Sequence, residues 1–349
     1  MTKILEILRS EVKPSLGCTG PISVALATAS ARKAVGGNPQ RIKIILDKDT
    51  FKNSISVITP GTSFKGILEP AVLGAFYGKP EFGLELLKDA QNIDEGFIRK
   101  FAGENTDFEI NTELNNVVLY IEAYVETEKG IGHALVEKVH DNVVIAEVVD
   151  RIGDCCKKGN TSDKEASDPN ASDPIRNYSI EDFYNFSNNI EIEKISFLKD
   201  ALELNKKLAL AGLNEKMGAR FGDGYKNIGG NEVYSKAKIL AAAASDARMS
   251  GKNLPAMSCA TSGNVGITAS VPLIAVADEY GKSEDELIRA VALSYLMTIY
   301  VKSHIGRLSA MCACAVAASI GIGAGTSYLL NKDLNKIEIT RSWLKIGAN

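Results

Sequence analysis

The first residues that could do chemistry lie within residues 11–21, where Cys18 and Thr19 stand between two glycines and just before Pro21. Glycine lets a backbone approach a ligand closely, and proline is typical of the first turn of a helix. A helix N-terminus favours a thiolate or a bound carboxylate. The stretch therefore predicts a site, and the alternative is a helix corner with a buried, chemically idle thiol.

A second stretch, residues 255–267, combines hydroxyl, amide and glycine residues just before an apolar helix. Ser262, Gly263 and Asn264 lie at its centre. A loop of this kind at a helix N-terminus can hold a small carboxylate through N–H and hydroxyl donors. It lacks the lysine and the spacing of a nucleotide P-loop, so ATP is not predicted. An ordinary serine and glycine helix cap is the alternative.

A third stretch brings two cysteines close to a titratable ring and a cation. Cys312 and Cys314 are candidate metal ligands, and His304 and Arg307 precede them in the chain. The alternative is a helix of small residues packed in a core. Residues 218–224, which hold Arg220 and Asp223, could also line a site, or they could be a glycine-rich connection between helices.

Helical and strand patterns must position these stretches. The helical patterns cover residues 21–35, 65–77, 197–210, 234–249 and 284–300, with helix starts at Ser179 and Ser283. The strand patterns cover residues 41–46, 55–58, 119–126, 132–139 and 143–148. Residues 119–126 alternate between apolar and polar, which predicts one buried and one wet face. His133 and His140 are predicted to lie on the surface.

The fold class predicted from these patterns is α+β. Residues 1–39 and 176–349 form a mainly helical domain, and residues 40–154 form an inserted α+β domain with a largely antiparallel sheet. Residues 155–175 contain Ala-Ser-Asp-Pro twice and almost no large apolar side chain, so they are predicted to be a disordered linker or loop.

Length and composition agree with a soluble protein of two domains. The chain has 349 residues, 45% of them hydrophobic and 24% charged, and no apolar run is expected to cross a bilayer. Residues 1–9 lack the pattern of a secretory signal, so a cytoplasmic location is expected and the six cysteines are expected to be free, catalytic or metal-bound. A net charge of −3 without a basic cluster argues against nucleic acid.

Three motifs together resemble a known family. Residues 17–21 (Gly-Cys-Thr-Gly-Pro), 262–266 (Ser-Gly-Asn-Val-Gly) and 307–312 (Arg-Leu-Ser-Ala-Met-Cys) resemble, in this order, the motifs of the L-cysteine desulfidase family. That family is similar to the catalytic subunit of iron–sulfur L-serine dehydratases. The resemblance implies an oxygen-sensitive [4Fe–4S] cluster, held by three cysteines, with one iron open as a Lewis acid. The implied reaction is the α,β-elimination of L-cysteine to pyruvate, ammonia and sulfide.

The resemblance also implies roles for single residues. Cys18 matches the proton-abstracting cysteine and Cys312 matches the first cluster ligand. Thr19, Ser262, Gly263 and Asn264 are expected to bind the substrate, and Arg307 is expected to stabilise the substrate carboxylate or the charge of the cluster. No residue is a secure general acid, and Lys13 and His304 are the candidates.

The chain departs from the family pattern after Leu330. Family members continue to a segment with two further cysteines, whereas this chain ends at Asn349 without it. Two of the usual three cluster ligands are therefore missing, and Cys259 or Cys314 would have to replace them. A truncated or frame-shifted gene, with impaired activity, is the expectation.

Three hypotheses remain open. The first is a desulfidase-type lyase, the second is an L-serine or L-threonine dehydratase, and the third is an inactive protein that binds a small amino acid or a partner subunit. The expected partner is a small amino acid, with neither nucleic acid nor membrane, and a homodimer is allowed for.

Overall fold

A computed structural model describes residues 1–16, 19–59, 62–90, 92–114, 119–153, 173–228, 232–306 and 312–332. The chain divides into two compact units. Residues 1–17 and 170–349 form the helical unit, and residues 18–169 form the sheet unit. The predicted α+β fold class is confirmed.

The described residues form helices and strands in the following order. The helices are α1 (Thr2–Glu11), α2 (Thr19–Val35), α3 (Lys48–Ser54), α4 (Leu68–Tyr77), α5 (Glu95–Asn105), α6 (Ile180–Asn189), α7 (Leu198–Glu215), α8 (Phe221–Ile228), α9 (Val233–Met249), α10 (Gly263–Glu279), α11 (Glu284–Ile305) and α12 (Ser319–Asn331). The strands are β1 (Val12–Leu16), β2 (Pro39–Asp47), β3 (Thr106–Asn111), β4 (Tyr120–Thr127), β5 (Gly130–Glu137), β6 (Val143–Val149) and β7 (Pro255–Cys259).

The sheet unit contains a five-stranded sheet in the order β3-β2-β4-β5-β6. Only the β2–β3 pair of this described sheet is parallel, so the prediction of a largely antiparallel sheet is confirmed. The helix α2 packs on β4, β5 and β6. Gly132 permits this approach, because a Cβ atom at residue 132 would lie 2.0 Å from the Ala31 carbonyl oxygen.

Two strand predictions in the sheet unit are wrong in detail. Residues 55–58 form no strand beyond an isolated bridge between Ile58 and Lys65, and they follow directly on α3, which Asp47 caps by accepting the N–H groups of Asp49 and Thr50. The alternation in β4 does not mark a wet face, since Glu122 and Tyr124 are buried as completely as their apolar neighbours.

The histidines predicted to lie on the surface are buried, His133 with 0% and His140 with 8% of its surface exposed. His140 lies in the hairpin turn below α2, where Ser23 donates a hydrogen bond to its carbonyl oxygen at 2.7 Å. His133 contacts the Glu122 carboxylate, with 3.0 Å between Nε2 and Oε1. A polar side chain can be buried when hydrogen bonds replace its water, and a single sequence does not display such partners.

Glu122 is the centre of this buried cluster. Besides His133, the hydroxyl groups of Tyr124 and Tyr120 donate to its carboxylate at 2.6 and 2.8 Å. Burial raises the pKa of Glu122, but the hydrogen bonds from His133, Tyr124 and Tyr120 outweigh it and hold the pKa below its ordinary value of 4.5. The ionised carboxylate is therefore the form that stabilises the folded sheet.

The helical unit is a bundle in which α10, α11 and α12 pack together, and α7 and α9 lie against α10. The predicted capping boxes at Ser179 and Ser283 are confirmed as the starts of α6 and α11. Residues 218–224 are not simply a connection, because α8 begins at Phe221. Arg220 and Asp223 pair with each other at 2.5 Å. Of the predicted linker only residues 173–175 are described; they enter a short 3₁₀ turn whose Ile175 is buried.

One described helix contradicts the expectation that no segment could cross a bilayer. Residues Cys314–Asn331 are long and apolar enough, with a mean hydropathy of 1.2 over 18 residues. Core helices of soluble proteins share this length and apolar composition. Gly321 and Gly325 bring α12 against Thr298 of α11 and Leu273 of α10, which is the packing of a bundle helix.

We predict that Glu122→Gln lowers the free energy of unfolding by about 2 kcal/mol at pH 7, because the buried charge-assisted hydrogen bonds are lost. A folded-state pKa below 4.5 means that the carboxylate stabilises the fold above pH 4.5 and loses this effect as the pH falls below it. The difference in the free energy of unfolding between wild type and Glu122→Gln, measured by urea unfolding, should therefore become smaller below pH 4.5. The exposed Glu104→Gln is the control, and a gap that stays constant with pH would contradict the prediction.

Candidate functional site

A tight two-residue turn joins β7 to α10. Cys259 and Ser262 exchange backbone hydrogen bonds of 3.1 Å in both directions, and Ala260 and Thr261 lie between them. Both residues adopt the left-handed backbone conformation, with φ of 48° at Ala260 and 66° at Thr261. This conformation costs about 1 kcal/mol for each residue that is not glycine. Backbone strain of this kind is concentrated at functional sites.

Two other segments hold this turn in place. The strand β1 pairs with β7, with Val12 opposite Cys259, and the Ala260 N–H donates to the Glu11 carbonyl at 3.0 Å. The Ala260 carbonyl accepts a hydrogen bond from Lys302 Nζ at 2.8 Å. Lys302 belongs to the last turn of α11 and is only 3% exposed, so a buried ammonium group lies beside the turn.

The helix predicted to follow the second stretch is present, but it begins inside that stretch, and residues 255–259 form β7. Ser262 is the N-cap of α10, and its hydroxyl accepts the Val265 N–H at 3.4 Å. The glycines of the stretch serve packing within the protein. A Cβ atom at residue 266 would lie 2.0 Å from the Met257 carbonyl oxygen, so Gly266 lets α10 start directly against β7.

Arg248 supplies a second buried cation. It lies in the last turn of α9, is 3% exposed and donates from Nη1 to Asn264 Oδ1 at 3.0 Å. Its guanidinium also contacts Gly263, where a Cβ atom would lie 2.4 Å from Nε. Lys302 therefore contacts the turn before α10, at Ala260, and Arg248 contacts the first turn of α10, at Gly263 and Asn264.

The cysteines of the third stretch form a thiol pair. Cys314 opens a π-helical turn, Cys314–Ala318, and Cys312 lies exposed two residues before it. The hydrogen bond with Cys312 and burial raise the pKa of the Cys314 thiol, while Thr268 and Lys302 act in the opposite direction. One thiol of the pair therefore keeps its proton when the other ionises. Lys302, which contacts the turn at Ala260, thus also contributes to the electrostatic environment of Cys314.

The third candidate ligand, Cys259, lies in a different environment. Its side chain is fully buried, and Sγ donates a weak hydrogen bond to the Tyr295 carbonyl at 3.8 Å. Among the residues that the structure describes, no three Cys, His, Asp or Glu side chains are close enough to hold a metal ion. The described thiols therefore do not by themselves form the three-cysteine site that the resemblance implies.

The remaining predicted site residues are distributed as follows. Cys18 and Arg307 lie outside the described residues. Thr19 is the first residue of α2 in the sheet unit, almost fully buried, and its carbonyl accepts the Ser23 hydroxyl at 2.8 Å. The roles predicted for these three residues stay predictions.

The two candidates for a general acid are both exposed. His304 follows Lys302 in the last turn of α11, and its ring contacts the Tyr300 ring at a centroid distance of 4.6 Å. Lys13 lies on β1, where its carbonyl accepts the Ser258 hydroxyl at 2.6 Å. That hydrogen bond helps to join β1 to β7.

Sequence reasoning missed both buried cations of the site. Lys302 follows the fully buried Tyr295 by seven residues, two helical turns, and Arg248 follows the buried Ala244 by four. A charge on the apolar face of a helix is a signal that the sequence does carry. Both charges stand in the last turn of a helix, where a cation is also expected from the helix dipole alone.

The chain is similar in sequence to one protein family and to several known proteins. A family model described as the serine dehydratase alpha chain matches residues 99–343. A UPF0597 protein of Clostridium tetani (strain Massachusetts / E88) is 38% identical over 334 residues, which covers 96% of this chain and 78% of that protein. A UPF0597 protein of Actinobacillus pleuropneumoniae serotype 5b is 36% identical over 347 residues, 97% of this chain and 78% of that protein. No solved structure matches at a significant level.

We predict that Thr261→Gly raises the free energy of unfolding by about 1 kcal/mol, because glycine adopts the left-handed conformation without strain. Thr261→Val removes the hydroxyl group but keeps the branched Cβ, so it should be no more stable than wild type. Urea unfolding of the three proteins measures both effects. A glycine variant that is less stable than wild type would show that the threonine side chain outweighs the backbone strain.

Proposed function

The chain belongs to the serine dehydratase alpha chain family, and from this premise we propose that it is a lyase that eliminates the β-substituent of a small L-amino acid. The proposed substrate is L-cysteine. The motifs at residues 17–21, 262–266 and 307–312, which resemble those of the L-cysteine desulfidase family, support this choice. The proposed location is the cytoplasm, in keeping with the three described cysteines, Cys259, Cys312 and Cys314, which form no disulfide with one another.

The carboxylate of the substrate is proposed to bind at the start of α10. The observation that supports this is the pair of buried cations, Lys302 and Arg248, that touch the connection between β7 and α10. The first turn of α10 adds N–H groups and the positive end of the helix dipole. An anion is attracted more strongly in such a partly buried site than in bulk water, because the local dielectric constant is lower.

The proposed reaction breaks the Cα–H and Cβ–S bonds of L-cysteine. The electron pair of the C–H bond becomes the Cα=Cβ double bond as sulfide leaves, and addition of water and loss of ammonia then give pyruvate. Ser262, Gly263 and Asn264 hold the carboxylate in this proposal, and Cys18 accepts the α-proton by resemblance to the family. A [4Fe–4S] cluster enters through the resemblance alone, since the described residues supply two neighbouring thiols, Cys312 and Cys314, and not three.

Two other functions have support of their own. The description of the matching family favours L-serine or L-threonine as substrate, with hydroxide in place of sulfide as the leaving group. The described residues bring together only two thiols, fewer than the three that a cluster needs, and this favours an inactive protein that only binds a small amino acid. The three functions differ in what the purified protein does with L-cysteine and L-serine.

The first test is turnover by the full chain, purified without oxygen after cluster reconstitution, together with its iron content. We expect sulfide release from L-cysteine with a kcat/KM at least about tenfold above that for pyruvate release from L-serine, and no reaction with D-cysteine. The opposite preference would assign a dehydratase. Thermal stabilisation by L-cysteine without turnover would assign a binding protein, and neither turnover nor stabilisation would contradict all three functions.

The second test concerns the N-cap of α10. Ser262→Ala should raise KM about tenfold, because a hydroxyl donor to the substrate carboxylate is lost. Ser283→Ala is the matched control, since Ser283 caps α11 on the surface and the two variants should lose a similar stability of about 1 kcal/mol. An equal KM in the two variants would show that Ser262 is only a helix cap.

A further inference from the structure

Arg248 contacts the first turn of α10 directly, at Gly263 and Asn264, although neither the motifs nor the family resemblance assigns it a role. Its guanidinium fills the space that a side chain at residue 263 would need, with 2.4 Å from the position of that Cβ to Nε and 2.8 Å to Nη2. The side chain is buried, so this contact is made inside the protein. Gly263 therefore allows the guanidinium of α9 to lie against the first turn of α10.

The contact with Asn264 fixes which end of the Asn264 amide faces Arg248. A guanidinium only donates hydrogen bonds, so the amide oxygen must face Nη1, at 3.0 Å. The amide nitrogen donates one N–H to Met249 Sδ at 3.2 Å, a weak acceptor that Arg248 Nη1 also contacts at 3.9 Å. The second N–H of the same nitrogen is the donor that this orientation offers to a ligand.

We propose that Arg248 is a positioning residue for the substrate carboxylate, because it orients the Asn264 amide with its nitrogen toward the ligand and adds a buried positive charge. This inference rests on the proposed binding of a carboxylate at the start of α10. The competing explanation is that Arg248 only ties α9 to α10. Asp246, two residues earlier, is such a tie, since its carboxylate accepts the Gly222 N–H at 2.9 Å and thereby joins α8 to α9.

A double-mutant cycle separates the two explanations. KM for L-cysteine is measured for wild type, Arg248→Met, Asn264→Ala and the double variant. We expect each single change to raise KM about tenfold. The KM of the double variant should be no higher than that of the single variant with the higher KM, because both changes remove the same oriented donor. Arg248→Lys, which keeps a donor and the charge, should recover part of the loss. Asp246→Asn should lower the melting temperature and leave KM unchanged.

Ligand-induced thermal stabilisation by L-cysteine, measured on the same proteins, gives a readout that does not need turnover. It also verifies that each variant is folded. If wild type is stabilised but does not turn over, the lyase proposal fails, while loss of stabilisation in Arg248→Met and Asn264→Ala upholds the role of Arg248. If Arg248→Met matches wild type, or if the two changes add independently, the inference is overturned. A wild type with neither turnover nor stabilisation overturns both proposals.

Discussion

The left-handed turn at Ala260 and Thr261 determines where α10 begins and in which direction it runs. Its backbone groups are held by Glu11 on one side and by Lys302 on the other. The N-cap hydroxyl of Ser262 follows at once, so the proposed anion site is built on backbone that has little freedom to move. Such a site is preorganised: its backbone dipoles already point in the required direction, so little free energy is lost to reorganisation when a ligand binds.

The sequence predicted most of the elements, because periodicity and capping residues are local signals. Four of the five strands of the sheet, the helix starts at Ser179 and Ser283 and the helix after Ser262 follow from residue patterns, whereas β3 was not predicted. Burial of polar groups was not predictable in the same way. His133 and Glu122 are paired across two strands, and Arg248 reaches a loop sixteen residues away, so their partners depend on tertiary contacts.

In the candidate site, too, the local features were predictable from the sequence and the tertiary contacts were not. The sequence predicted that Ser262, Gly263 and Asn264 lie at the start of a helix, and it indicated Cys312 and Cys314 as candidate metal ligands. It did not predict that Cys259 lies in the core against Tyr295, or that Lys302 is buried beside the turn. A lysine at the end of a helix is usually solvated, and only the packing of α11 against its neighbours shows that this one is not.

The buried carboxylate of Glu122 also determines how β4 and β5 can pair. Tyr124 lies opposite His133 in the register of this hairpin, on the face of β5 that is opposite to Gly132 and α2. A slip by one residue would turn His133 toward α2, where Gly132 now leaves no room for a side chain, and would separate it from Glu122. The polar cluster and Gly132 therefore both disfavour a one-residue slip between these two strands.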